Sequence, residues 1–230
     1  MTARTVLSTQ ALLGQMTPSE VIFAFADRFL PSTTEKRTFT RATIIAGRYV
    51  SSPELGALMA EVAVAALVDG GDVVVVERET RVLVWRRRQV VLQLSAAGLS
   101  ENRWPADTPE GRMVEWLRAR SRNEAPLLRE VFAEALIVEQ SAGAPYAPLH
   151  VAERSLVRTG LTLVESQTSL RVFRSESVAV DQRQVSALAS APEDLVSARL
   201  ACRRALSASD QARIRAAWLA AASQMSRSGY

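Results

Sequence analysis

The sequence predicts a mainly α-helical protein that carries two β-hairpins, and two observations lead to this prediction. Apolar residues recur at helical spacing along most of the 230 residues. Twice, a helix of this kind ends at glycine, at Gly71 and again at Gly160, and two β-type runs separated by a polar tip follow. We therefore expect a single domain over residues 1–230, with residues 1–15 and 226–230 poorly ordered at its ends.

Residues 17–29 carry the signals of an amphipathic helix. Thr17 is an N-cap residue, and Glu20 has the capping-box spacing, with a proline between them at the first helical position. Pro31 ends this helix. The polar, turn-rich residues 31–43 then predict a surface loop.

The first helix–hairpin unit lies between residues 52 and 85. Ser52 can cap a helix whose apolar residues repeat at helical spacing until Gly70 and Gly71 stop it. The run "DVVVVE" predicts a strand, residues 78–81 form a polar tip, and "VLVW" returns as the second strand.

The second unit repeats this order. A helix begins near residue 148 and stops at Gly160, and "LTLVE", the tip "SQTS" and "LRVFR" form a hairpin. A helix followed by a two-stranded wing is the outline of a winged-helix unit. The predicted fold class is therefore mainly α, one helical domain with two winged-helix-like helix–hairpin units.

The remaining segments are predicted to be helical. Between the two units, Thr108 caps one helix and Pro126 opens another. After Asp181 the chain is alanine-rich and helical, with breaks near Pro192 and at residues 207–209.

Composition predicts a cytoplasmic protein. No apolar run is long enough to span a bilayer, no signal peptide is visible, and the single cysteine, Cys202, excludes an internal disulfide. The net charge of +4 indicates an anionic partner only weakly. All basic residues except Lys36 are arginine, a skew more typical of a GC-rich genome than of a phosphate-binding protein.

No pattern in the chain predicts catalysis, a metal site or a cofactor. The only histidine, His150, lies more than 50 residues from Cys202 and is interpreted as a capping or surface residue. Neither a P-loop nor a Rossmann glycine motif occurs. Carboxylates lie among arginines at helical spacing, as Glu115 does with Arg118, so solvated ion pairs account for them. We expect no enzymatic activity.

Two clusters of arginines are candidate anion-binding surfaces. The main cluster joins the helix before the second hairpin to the return strand of that hairpin, and its members are Arg154, Arg158, Arg171 and Arg174. A secondary patch on the return strand of the first hairpin comprises Arg86, Arg87 and Arg88. The alternative is that both clusters only protect edge strands against aggregation, and this alternative is favoured for the secondary patch.

Two stretches resemble the Golgi phosphoprotein 3 family, including its bacterial members. "GALMAEVAVAALVDGGDVVVVE" is similar to the glycine-led early helix of the family, which runs into a strand. "VAERSLVRTGLTLVESQTSLRVF" is similar to its later helix, which ends in a glycine step into a hairpin. The order and spacing agree over about residues 15–185.

This resemblance implies a largely helical fold and binding to membranes. Eukaryotic members bind phosphatidylinositol 4-phosphate through a tryptophan and an arginine before the early helix, together with arginines on the later helix. Here Leu55 takes the place of the early arginine, the loop has no tryptophan, and Val151 takes one later arginine position, with Arg154 and Arg158 nearby. The resemblance therefore implies binding of anionic phospholipid more than recognition of that one headgroup.

Three functions are consistent with the sequence. The first is a non-enzymatic peripheral adaptor that binds anionic lipid headgroups on the inner face of a membrane, together with a protein partner. The second is an assembly or scaffold subunit that forms a homo-oligomer through its hairpins. The third is a winged-helix nucleic-acid binder, which is less favoured because the helix over residues 56–68 has no basic residue.

Overall fold

The structure is a computed structural model that describes residues 7–37, 40–82, 85–100, 103–120, 125–136, 147–169 and 173–228. At residues 80–82, 85–88, 147, 148, 150, 164–169, 173–178 and 224–228 it describes the backbone only. Within these ranges the protein is mainly helical and has small antiparallel sheets, as the sequence predicts.

The helices surround one long central helix. In chain order they are α1 (Thr9–Gln15), α2 (Pro18–Ala24), α3 (Ala26–Phe29), α4 (Ser52–Asp69), α5 (Ala96–Ser100), α6 (Pro109–Arg120), α7 (Leu128–Val131), α8 (Ala147–Ser155), α9 (Gln182–Ala189), α10 (Glu193–Arg199) and α11 (Ala208–Ser228). A π-helix, Phe132–Leu136, continues α7, and a 3₁₀ helix, Ala201–Ala205, lies between α10 and α11.

The strands form three separate antiparallel sheets. They are β1 (Ser32–Thr33), β2 (Thr40–Ala42), β3 (Tyr49–Ser51), β4 (Val73–Val82), β5 (Trp85–Leu94), β6 (Thr162–Ser169) and β7 (Phe173–Val180). The first three make a small sheet in the order β1-β3-β2, and the others make the hairpins β4–β5 and β6–β7. Both predicted hairpins are present, but their strands are longer than predicted: residues 78–81 and 166–169, expected to form the tips, lie within β4 and β6.

Helix α4 forms the centre of the core. It is buried from Leu55 to Leu67, because apolar residues lie on every side of it, as in a fully enclosed helix. Helices α2 and α11 and the 3₁₀ helix pack around it. The one acidic residue in this stretch, Glu61, is fully buried; it accepts hydrogen bonds from Arg203 at 3.1 and 2.9 Å and pairs with Arg215.

Two parts of the N-terminal region differ from the prediction. Residues 9–15, expected to be poorly ordered, form α1, because Leu12 and Leu13 are buried in the core. The predicted loop over residues 31–43 contains β1 and β2, which pair with the later strand β3. These strands are too short to show an alternating pattern, and their partner lies downstream, so the sequence alone does not reveal them.

The predicted helix over residues 17–29 is divided in two. Phe25 separates α2 from α3, and its φ of −105° and ψ of 28° are not helical. The predicted capping interaction is present, since the backbone N–H of Thr17 donates to Glu20 Oε2 at 2.7 Å.

Both hairpins begin at a left-handed glycine, as predicted. Gly71 has a φ of 73° and Gly160 a φ of 75°. After α4 the backbone N–H groups of Gly71 and Asp72 donate to Val68 and Leu67, each at 2.9 Å, which is the Schellman pattern.

Helix α8 ends earlier than the sequence predicts. It stops at Ser155, five residues before Gly160, and the chain continues in tight turns in which Val157, Arg158 and Gly160 donate to carbonyls three residues back. The Thr159 hydroxyl donates to the Leu156 carbonyl at 2.7 Å and favours this tighter path. Arg154 therefore lies in the last turn of the helix, and Arg158 lies beyond it.

The predicted breaks in the second half are largely confirmed. Thr108 caps α6, and its hydroxyl accepts from the Gly111 N–H at 3.1 Å. The next helix begins at Leu128 rather than at Pro126, because Leu127 forms a β-bridge with Val91. After Asp181, α9, α10 and α11 follow with breaks near the predicted positions. Within the described parts of the chain, none of the helices could serve as a membrane span.

Candidate functional site

Arg154 is an exposed arginine in the last turn of α8. The carboxylate of the preceding residue, Glu153, binds Arg41 of β2 at 2.5 Å, and both of these side chains are about four-fifths buried. The Arg41 guanidinium also lies 5.4 Å from the centre of the Phe23 ring.

Arg158 has a different environment. It donates to both carboxylate oxygens of Glu20, at 3.0 and 2.9 Å, and to the Gln15 carbonyl at 2.7 Å. Glu20 is fully buried, while the Arg158 side chain keeps 30% of its surface exposed. A buried carboxylate needs a paired cation, so Arg158 acts first as a structural partner of α2. The structure does not place Arg154 and Arg158 on one helix face.

A second buried carboxylate lies beside this pair. Glu110 of α6 is fully buried and accepts hydrogen bonds from the Ser19 N–H at 3.0 Å and the Ser19 hydroxyl at 2.8 Å. Burial raises the pKa of Glu110 above its ordinary value, and the neighbouring charge of Glu20 raises it further, against the opposing effect of the bonds from Ser19.

The rest of the predicted main cluster is described only in part. Arg174 lies on β7, where its backbone pairs with Thr168 of β6, and its side chain is outside the description. Arg171 lies outside the described residues. The structure therefore leaves the predicted approach of the hairpin arginines to Arg154 as a prediction.

The secondary patch lies on β5 of the first hairpin. The backbone register pairs Arg86 with Arg81, Arg87 with Thr80 and Arg88 with Glu79. The side chains of the three arginines of this patch lie outside the description, so the favoured interpretation that the patch protects the hairpin stays a prediction.

Arg48 is an exposed arginine that sequence reasoning did not single out. It closes the turn between β2 and β3, where the Thr43 N–H donates to its carbonyl at 2.7 Å and Gly47 has a φ of 62°. Among the described residues, none forms a hydrogen bond or an ion pair with the Arg48 side chain. Arg41 pairs across the sheet with Val50, two residues after Arg48. The β2–β3 turn therefore lies near the Arg41–Glu153 contact beside Arg154.

The arginines and carboxylates that the sequence assigns to solvated ion pairs within a helix have other partners in the structure. Arg118 donates to the Gly98 carbonyl at 2.7 Å rather than pairing within its own helix turn. Glu134 binds Arg120 at 2.7 Å, and Glu130 accepts from the Leu127 N–H at 3.1 Å as a helix cap. The contacts of Arg118 and Glu134 join separate elements, and the contact of Glu130 caps a helix. Helical spacing in the sequence predicts neither role.

The groups that could carry metal or thiol chemistry are few. Among the described residues, no group of three or more histidine, cysteine and acidic side chains could hold a metal ion. Burial raises the pKa of the Cys202 thiol to about 11, so this thiol stays protonated and unreactive near neutral pH. His150 lies inside α8 rather than at its cap, and its side chain is outside the description.

Comparison of the chain with models of protein families, with curated proteins and with solved structures finds no match.

Proposed function

We propose that the protein is a non-enzymatic peripheral adaptor that contacts an anionic phospholipid surface. The observation that carries this proposal is the exposure of two arginines, Arg154 at the end of α8 and Arg48 in the β2–β3 turn. Arg48 lies in the turn that joins β3 to β2, whose Arg41 binds Glu153 beside Arg154, and Arg174 lies on β7 of the hairpin that follows α8. Arg171 lies outside the described residues, and we expect it to add to this surface. Arg158 contributes indirectly, by pairing with the buried carboxylate of Glu20.

The expected binding is weak and reversible. Each arginine near an anionic surface contributes about 1 kcal/mol, so four arginines would give a dissociation constant of roughly millimolar order. Binding of this kind falls steeply with salt. The similarity in helix–hairpin order to the Golgi phosphoprotein 3 family supports a membrane role, while Leu55 and Val151 replace arginines that those members use for phosphatidylinositol 4-phosphate.

Vesicle co-sedimentation tests this proposal. The parent is compared with Arg48→Gln/Arg154→Gln, which removes two charges from the proposed surface, and with Arg183→Gln/Arg204→Gln, which removes two exposed charges elsewhere. We expect binding to phosphatidylserine vesicles, little binding to phosphatidylcholine vesicles, and a loss of about tenfold or more only in the first variant. Equal losses in both variants would show that net charge alone drives binding. Vesicles containing phosphatidylinositol 4-phosphate test whether that headgroup is preferred.

Self-association through the first hairpin is a second candidate function. Within the described residues the only strand that pairs with β4 is β5, so β4 is an edge strand there. Val74 is 51% exposed and Val76 36% exposed on the same face of this edge strand. Light scattering on size-exclusion fractions would show an oligomer that Val74→Lys/Val76→Lys reduces to a monomer, if this edge forms the contact.

The winged-helix-like order of the two units does not by itself support nucleic-acid binding. A recognition helix must be exposed to enter a groove, whereas α4, the helix before the first hairpin, is buried from Leu55 to Leu67. A DNA control in the vesicle experiment is expected to show no saturable binding.

A further inference from the structure

A groove of about 280 Å³ lies between the first hairpin and α11. Its walls carry five apolar side chains, those of Val90, Leu127, Ala216, Ala217 and Ala220. The three alanines lie at positions i, i+1 and i+4 of α11, so their methyl groups share one side of the helix and leave a flat apolar surface.

The two arginines that line this groove differ in whether a carboxylate balances them. Arg213 of α11 pairs with Glu77 of β4, and its Nη1 lies 3.9 Å from Asp210, so its charge is balanced. Arg129 of α7 also lines the groove and is partly buried, but no described residue pairs with it. The groove therefore has an apolar wall, a neutral Arg213–Glu77 ion pair, and one cation, Arg129, that lacks a carboxylate among the described residues.

The size of the groove restricts its occupant. Pockets for drug-sized ligands enclose roughly 300–1,000 Å³, so this groove suits a small molecule with a narrow apolar part. A stable protein–protein contact would need roughly 1,000 Å² or more of buried surface, which a groove of this size does not provide alone.

We propose that this groove binds a free medium-chain fatty acid. The aliphatic chain lies against the alanines of α11 and Val90, and the carboxylate binds the Arg129 guanidinium. Because Glu77 already neutralises Arg213, Arg129 is the cation left for the ligand carboxylate, and this fixes the orientation of the chain. None of the arginines of the proposed membrane surface lines this groove, so this inference stands apart from the proposed function.

Titration with hexanoate, octanoate and decanoate in the absence of vesicles tests the proposal. The ¹³C resonance of labelled carboxyl groups reports binding even when it is weak. Burial of each added methylene is expected to tighten binding by about fourfold until the chain fills the groove. Uncharged 1-octanol, observed through its own ¹³C label, probes the apolar wall without the contact to Arg129.

Two variants and their controls locate the site. Ala216→Leu/Ala220→Leu fills the groove at exposed positions and should weaken octanoate binding at least tenfold, whereas Ala208→Leu/Ala212→Leu, on exposed positions of the same helix outside the groove, should not. Arg129→Gln should weaken octanoate about tenfold and leave 1-octanol unchanged, and Arg183→Gln should affect neither. Thermal unfolding of each variant confirms that it is folded.

Three results would overturn the proposal. The first is that the parent does not bind octanoate saturably, and the second is that the groove-filling variant binds it as the parent does. The third is a parent dimer that Ala216→Leu/Ala220→Leu converts to a monomer, because a second copy of the chain would then occupy the groove.

Discussion

At the scale of single residues, the ion pair of Glu20 and Arg158 stabilises a charged side chain inside the core. Glu20 has no exposed surface, and Arg158 reaches it from a turn 138 residues later in the chain. Breaking a buried ion pair costs roughly 3–5 kcal/mol, and because Arg158 is partly exposed we expect Arg158→Gln to lower the free energy of unfolding by about 2–4 kcal/mol. Urea denaturation measures this change.

A double-mutant cycle separates the pair from its surroundings. Glu20→Gln/Arg158→Gln removes both charges and should cost clearly less than the sum of the two single changes. Additive losses would mean that the two side chains do not stabilise each other.

Glu110 predicts a pH dependence of stability. The folded pKa is raised, so Glu110 keeps its proton in the folded protein at pH values where the unfolded chain has already lost it. Its contribution to stability is fully present below about pH 4.5 and is lost as the pH rises toward the folded pKa, at up to about 1.4 kcal/mol per pH unit.

The measurement is the free energy of unfolding of the parent and of Glu110→Gln from pH 4 upward. Glutamine cannot ionise and can still hydrogen-bond to Ser19, so the parent should lose stability relative to this variant as the pH increases. A difference that does not change with pH would show that Glu110 titrates normally.

The residue scale is also where sequence reasoning about the site is weakest. Arg154 and Arg158 are four residues apart, which predicts one helix face, but α8 ends at Ser155. The role of Arg158 depends on Glu20, and no local pattern connects residues so far apart. Arg48 belongs to no sequence motif, and only the folded structure shows that it is exposed.

At the scale of elements, the contact between α4 and α11 depends on a glycine. A Cβ atom on Gly56 would lie 3.1 Å from Nε1 of the fully buried Trp218, which also packs edge-on against Phe132. We expect Gly56→Ala to lower the free energy of unfolding by about 1–3 kcal/mol, because the two helices must separate.

Gly14→Ala is the matched control. Gly14 is also helical, but no atom lies within 4 Å of its added Cβ, so alanine should stabilise α1 by about 0.5–1 kcal/mol. Equal losses in the two variants would contradict close packing at Gly56. Thermal unfolding compares them directly.

Substitution of Gly160, the glycine before the second hairpin, should destabilise the protein through backbone strain alone. No atom lies within 4 Å of a Cβ on Gly160, so its φ of 75° is the source of strain there. Gly160→Val should destabilise the protein by about 1 kcal/mol or more, and Gly160→Asn should cost less, since asparagine tolerates this region. Differential scanning calorimetry would contradict this account if valine and asparagine were equivalent.

Elements with strong local signals could be predicted from the sequence. The sequence predicts the hairpins because β-branched residues follow a helix-stopping glycine at both Gly71 and Gly160, and both glycines have a positive φ in the structure. The strands β1, β2 and β3 have two or three residues each and depend on pairing across the chain, so local propensity does not specify them. The division at Phe25 likewise results from tertiary packing, because Phe25 is fully buried.

At the scale of the whole molecule, several arginines hold buried polar groups rather than a partner. Arg203 binds Glu61 in α4, Arg103 binds Asp72 at the start of the first hairpin, and Arg199 donates to the Met16 carbonyl near α1. The number of arginines is therefore no measure of the basic surface that is available to a partner. The proposed membrane surface is a local feature around Arg154 and Arg48.

The measurement that tests this account most directly compares Arg154→Gln with Arg158→Gln on phosphatidylserine vesicles, alongside their thermal unfolding. Arg154→Gln should bind about fivefold more weakly, as expected for a loss of about 1 kcal/mol, and should unfold close to the parent temperature. Arg158→Gln should unfold at a lower temperature and, while folded, bind vesicles as the parent does. The contrary result is weaker binding by Arg158→Gln with unchanged stability, together with normal binding by Arg154→Gln.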